Sequence, residues 1–249
     1  MTQRSRIFSK LAGTSKLACA ALLASRLVSA STVTGTVELT GNSGHAQASR
    51  ESLTDIVVWL QPVQNTPLRA PEAQHAQLLQ KDKMFHPHVL AITVGSVVDF
   101  PNVDPIFHNA FSNFDGQLFD VGLYPPGTSR TVHFYRAGIV RVFCNIHPSM
   151  SAVIVVLSTP FFTKVRRDGK FDIPDVPPGV YELHVFDERA TERTDAESIL
   201  TVEVDRPQIT AEPIRISEAG YVRPPHKNKY GLDYPVSSAD LDTYSGPPR

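Results

Sequence analysis

The stretch VRVFCNIHPSM, residues 140–150, places three metal-binding side chains at the spacing C-x2-H-x2-M: Cys144, His147 and Met150. The cysteine offers a strong, soft thiolate, the histidine a borderline imidazole and the methionine a weak thioether. A His₂Cys set with a long axial methionine is the pattern of blue-copper sites. Zinc usually takes four strong ligands, so the thioether counts against it. A β-rich apolar run ends at Cys144 and gives way to a polar turn containing Pro148, so these donors sit in a loop at a strand end.

One loop supplies one histidine, and a second has to come from elsewhere. The stretch VVDFPNVDPIFHN, residues 97–109, offers His108, which follows a strand and a proline-rich turn. A ligand from a separate strand end makes such a site a clamp between two parts of one sandwich. Each residue taken alone has an ordinary reading: Cys144 and Met150 as core, His147 as surface, His108 as part of a turn. Their order and joint placement at strand ends favour the metal.

The cysteine count sharpens the question. The chain has 249 residues and two cysteines. Cys19 falls in an opening stretch with Arg4, Arg6, Lys10 and Lys16 in front, an apolar run over 17–24 and the small-residue site Val28-Ser29-Ala30. That is the layout of a secretory signal, residues 1–30, too short to span a membrane. Its removal takes five of the 24 basic residues and none of the 25 acidic ones, leaving a net charge of about -6. It also leaves Cys144 as the one thiol of an exported protein. A lone thiol in an oxidising compartment is either buried and inert or bound to metal.

Short β-rich runs separated by Pro, Gly and Asn fill most of the remaining sequence: 33–39, 56–60, 89–94, 97–101, 131–134, 140–144, 152–157, 170–173, 181–186 and 199–204. Ten such runs predict an all-β chain of sandwiches. Helical composition is confined to residues 71–80, rich in Ala, Gln and Leu, where a turn or two of helix is expected. From about Gly220 onward the chain is rich in Pro, Tyr, Ser and charge without periodicity, which predicts a tail, 219–249, that wraps the surface or is disordered.

Residues from about Gln80 to Leu157 resemble a small cupredoxin of the plastocyanin and amicyanin type. FHNAFS resembles the segment that brings the first histidine, and VFCNIHPSM the C-terminal ligand loop, with the short gap before Met150 found in amicyanin. The resemblance implies a Greek-key sandwich holding one type 1 copper, with His108, Cys144 and His147 as equatorial ligands and Met150 as the axial one. It also implies that Asn109 ties the two ligand loops together and that His147 is partly exposed as the usual path for the electron. Phe107, Ile146, Pro148 and Pro105 then form an apolar rim, suited to brief docking with a partner or simply packing the loop.

A second resemblance flanks the first. Residues 33–37 and 56–60 resemble the opening strands of a carboxypeptidase regulatory-like, transthyretin-type sandwich. DGKFDIPDVPPGVYELHV, residues 168–185, resembles its closing half, with hairpin turns at Asp168-Gly169 and Pro178-Gly179 and a buried face of Phe171, Ile173, Tyr181, Leu183 and Val185. The expected organisation is therefore a discontinuous sandwich over 31–70 and 159–218 with the cupredoxin, 71–158, inserted in it; a plain tandem is the alternative.

Together the two resemblances match methylamine-utilisation-type cupredoxin proteins and imply a periplasmic carrier of single electrons between redox proteins that the sequence does not name. The alternative is a copper-binding or sensing module without redox turnover, against which stands the scarcity of methionine, three in all. Multicopper oxidases and nitrite reductases need further histidine-rich centres, so no enzyme is expected. The pair His86 and His88 reads either as a second metal site or as a solvated strand edge. His45, His75, His133, His184 and His226 lack ligand-like neighbours in sequence and read as ordinary residues. A formal net charge of -1 with no basic patch argues against nucleic acid, and nothing predicts a membrane span.

Overall fold

The computed structural model describes residues 30–40, 52–63, 70–113, 116–191, 200–222 and 225–234. The signal stretch up to residue 29 and the tail beyond 234 lie outside the described residues. The fold is all-β. Its strands are β1 (Ser31–Thr40), β2 (Val57–Pro62), β3 (His75–Gln77), β4 (Leu79–Lys81), β5 (Met84–His86) and β6 (Val89–Thr93). They continue with β7 (Val97–Pro101), β8 (Phe111–Ser112), β9 (Phe119–Asp120), β10 (Ser129–His133), β11 (Gly138–Phe143) and β12 (Ser151–Leu157). The set is completed by β13 (Phe162–Lys164), β14 (Lys170–Val176), β15 (Gly179–Phe186), β16 (Leu200–Val204), β17 (Gln208–Thr210) and β18 (Ile214–Ser217).

Among the described residues, the first two strands pair only with members of the last six. β1 runs antiparallel to β14 and parallel to β17 and β18, while β2 lies between β13 and β15, with β16 at the edge beyond. Alternation in the sequence makes this a sandwich: Val33 and Val37 of β1, Phe171 and Ile173 of β14, and Tyr181 and Leu183 of β15 all turn into one buried core. Gly35 has to be glycine there, because a Cβ would lie 2.4 Å from the Phe171 ring.

The intervening strands pair among themselves. β7 lies between antiparallel β10 and parallel β3, and the order β6-β12-β11-β8-β9 makes the larger facing sheet. Leu78, Ile92, Val98, Phe100, Phe134, Val140 and Ile154 fill the space between them. β12 is buried on both faces. Ala152, Ile154 and Val156 enter this core, whereas Val153, Val155 and Leu157 pack with Val57 of β2 and Val89 of β6, beside Trp59 and Phe186. The unbroken apolar run of β12 thus reflects a sheet sandwiched between two cores. At the rim of this contact Lys164 Nζ donates to the Val89 carbonyl at 2.9 Å, and Glu188 receives both His88 Nε2 at 2.5 Å and Arg141 at 3.4 Å.

Two local expectations are corrected. Residues 71–80 form no helix: 71–74 is irregular, and β3 and β4 follow. The open edge of β7 offers parallel pairing to His75, Ala76 and Gln77, and Leu78 is buried in the core, so tertiary pairing overrides helical composition. Pro178-Gly179 is no hairpin turn either. It carries the chain from β14 in one sheet to β15 in the other, an arch across the core.

Candidate metal centre

β11 and β12 form a hairpin whose last pair is Phe143 with Ser151. The loop above it is closed by Cys144 N–H donating to the Met150 carbonyl and Met150 N–H to the His147 carbonyl, both at 3.1 Å. That short turn fixes the two three-residue steps, with Cys144 and Met150 closing the base of the loop and His147 midway between them. His108 arrives from the connection between β7 and β8. A backbone bridge to Tyr124, at 3.2 and 2.9 Å, holds it, and the buried Tyr124 hydroxyl donates to the Phe100 carbonyl at 2.9 Å.

Three of the four expected donors converge. The ligand atoms of His108, Cys144 and His147 all lie within 4.8 Å of one another, and all three residues are buried. Cys144 Sγ is 3.9 Å from His108 Nδ1 and 3.6 Å from His147 Nδ1. With bonds of the length zinc makes to sulfur and nitrogen, a trigonal angle sets the two donor atoms about 3.8 Å apart. One soft sulfur and two imidazole nitrogens at that spacing fit a copper ion. Met150 is fully buried in the same core cluster as Cys144, and its backbone carbonyl receives the Cys144 N–H.

Burial pushes the Cys144 thiol up, while the backbone N–H groups of Ile146, Asn109 and His147 pull the other way. Those amides are the electrostatic support a bound thiolate needs. His108 is fixed from behind: its Nε2 lies 2.7 Å from the Asp104 carboxylate, with the two side chains 0% and 8% exposed. Donation of the Nε2 proton there leaves Nδ1 facing the sulfur.

The remaining site expectations are modified. His147 is 8% exposed, so its imidazole reaches solvent only at an edge, while Phe107 and Ile146 of the expected rim are exposed. Asn109 meets the Cys144 loop through its backbone N–H, which faces the sulfur, and not through its side-chain amide. That amide donates to Asp120 Oδ1 at 2.8 Å and the Gly122 carbonyl at 3.0 Å, tying the His108 loop to the stretch around β9. His86 and His88 face different partners: the His86 ring lies at the Lys81 carbonyl, and His88 is engaged by Glu188 and the Ser151 carbonyl.

The second tie to the Cys144 loop comes from the tail. In the segment 225–234, Lys229 N–H donates to Asn145 Oδ1 at 2.9 Å and Lys229 Nζ to Asp120 at 2.8 Å. The Tyr234 hydroxyl donates to the Cys144 carbonyl at 2.8 Å, and the His226 ring stacks on Phe143 at 4.1 Å between centroids. Burial, and after it the charge of Cys144, raises the Tyr234 phenol, which keeps it a donor. The packed segment 225–234 agrees with the wrapping form of the expected tail, but neither Asp104 nor these particular contacts carried a signal in the sequence: an aspartate four residues before a histidine is common, and partners some 90 residues apart follow no spacing rule.

No protein-family model and no curated protein matches the chain. Solved structures similar to part of it include the copper-containing nitrite reductase of Thermus scotoductus SA-01, 27% identical over 40% of this chain and 26% of that one, with a TM-score of 0.34. The chain thus spans about a quarter of that enzyme. A purple cupredoxin from Nitrosopumilus maritimus is 24% identical over 33% of this chain and 99% of its own, at a TM-score of 0.31. A mutant amicyanin with Cu(I) is 16% identical over 40% of this chain and 98% of its own, at 0.32.

Proposed function

We propose that the protein carries single electrons between redox proteins through one type 1 copper, held by His108, Cys144 and His147 in the equatorial plane and by Met150 axially. The observation that carries the reading is the buried Cys144 sulfur between two imidazole nitrogens at 3.9 and 3.6 Å. Backbone hydrogen bonds hold the loops that carry those donors, and a site held in one geometry changes little between Cu(II) and Cu(I). The fully buried Met150 at the base of the same loop supports an axial role. The exposed Phe107 and Ile146 support brief apolar docking.

In the same proposal residues 71–158 are the copper domain, inserted between the two halves, 31–70 and 159–218, of a non-catalytic sandwich. The pairing of β1 and β2 with β13 to β18 supports that division. The periplasm is the proposed compartment, on the strength of the opening signal pattern.

The test is a visible spectrum of the protein loaded with Cu(II). An intense thiolate-to-copper band is expected, lost in Cys144→Ser, together with reversible one-electron reduction. A colourless protein that binds zinc in preference to copper sinks the proposal.

A further inference from the structure

We infer that Asp104 is a tuning residue of the centre, holding the copper toward its oxidised state through His108; this rests on the copper reading proposed above. Its carboxylate is nearly buried, yet every contact it makes is accounted for. Besides His108 Nε2 at 2.7 Å, it receives the backbone N–H of Asp82 at 2.6 Å and of Lys83 at 2.9 Å. Its own N–H donates to Asn102 Oδ1 at 3.1 Å, and Asn102 Nδ2 donates to the Ile106 carbonyl at 2.8 Å. The carboxylate therefore has no freedom to turn away from the imidazole.

The turn that supplies the two amides is itself unusual. Asp82 and Lys83 both have φ of 55°, in the left-handed region, and neither is glycine. A two-residue hairpin of this kind prefers Asn-Gly, and a bulky residue there is strained. The strain is held by donating both N–H groups to Asp104. A turn between β4 and β5 has thereby been recruited to clamp an anion against a metal ligand.

Three consequences follow for the ligand. The carboxylate accepts a hydrogen bond from the Nε2–H, which fixes the tautomer with Nδ1 free to bind. It makes that nitrogen a better donor, because the shared proton leaves more electron density on the ring. It also places a full negative charge in a buried setting close to the metal, where it is weakly screened. The last two effects favour Cu(II) over Cu(I), since the ion of higher charge gains more from both. Wild-type protein is accordingly set to a lower reduction potential than the same four ligands would give with a neutral partner on His108.

The test is Asp104→Asn in the full chain, which keeps a side chain of the same shape and removes the charge. Relative to Cu(I), affinity for Cu(II) is expected to fall tenfold or more, a rise in potential of about 59 mV or more for one electron. The blue band should persist, and Asp104→Glu should recover part of the shift. An Asn variant that stays blue with an unchanged potential overturns the inference, assigns Asp104 to the turn alone and leaves the copper reading intact. A second measurement needs no variant: in wild-type protein loaded with Cu(I), His108 should show a slowly exchanging Nε2–H proton in its nitrogen-coupled NMR spectrum. An Nε2 without a proton overturns the inference as well. Absence of blue copper from wild-type protein removes both readings together.

Discussion

Asn109 shows how a single residue serves two functions beside the centre. Its backbone N–H faces the Cys144 sulfur, and its buried amide donates to Asp120 and to the Gly122 carbonyl. Asn109→Ala keeps the first and loses the second, one bond of which ends on a carboxylate. The expected loss of stability is about 2–3 kcal/mol, read from the urea midpoint, with a larger proportional loss in copper retention than in fold. The pairing of the cysteine with the histidine three residues on was legible in the sequence because one tight loop sets their spacing. His108 was legible from its strand end. Asp104 was not, because its role depends on two backbone amides of a turn over twenty residues earlier. The partners of the Asn109 amide were not legible for a related reason: sequence gives its position beside the ligand but not the direction of its side chain.

At the scale of elements, β12 joins the two cores. Its outward valines would be solvent-facing in a free-standing sandwich, where trimming one changes stability by less than about 0.5 kcal/mol. Val155 is instead 1% exposed, packed against the neighbouring sandwich. Val155→Ala should therefore cost about 2 kcal/mol, comparable to a core truncation, in the same denaturant measurement. A cost within 0.5 kcal/mol would mean that the two sandwiches do not stay stacked in solution. All ten β-rich runs read from the sequence are strands, since alternation and flanking turn residues report directly on local structure. The pairing of β3 with β7 was hidden, because residues 71–80 carry a helix-like composition and the edge they join lies twenty residues later. So was the arch at Pro178-Gly179: a turn dipeptide does not say whether the next strand lies beside the last or across the core from it.

For the molecule as a whole, the segment 225–234 binds the far end of the chain to the loop that carries Cys144. Asp120 is its ionic anchor. Burial pushes that carboxyl up, but Lys229, the Gly122 N–H and the Asn109 amide outweigh burial and hold it below its ordinary 3.8. A depressed carboxylate stabilises the folded form above its unfolded value and ceases to do so as pH falls through the folded one. The Lys229 amide should thus keep its exchange protection at neutral pH and lose it on acidification below about 3.8, and Asp120→Asn should weaken it at pH 7. Unchanged protection in the variant would show that Tyr234 and His226 hold the segment unaided. The sheet order bears also on how the chain is made. β1 and β2 leave the ribosome early, yet their partners begin only at Phe162, some 100 residues later. At about 5–20 residues per second that is a wait of roughly 5–20 s with two apolar strand edges unpaired. The strands from β3 to β12 need none of those partners for their own pairing. The middle of the chain is therefore able to fold first, and the strands synthesised before it must wait for the last third before they can join a sheet.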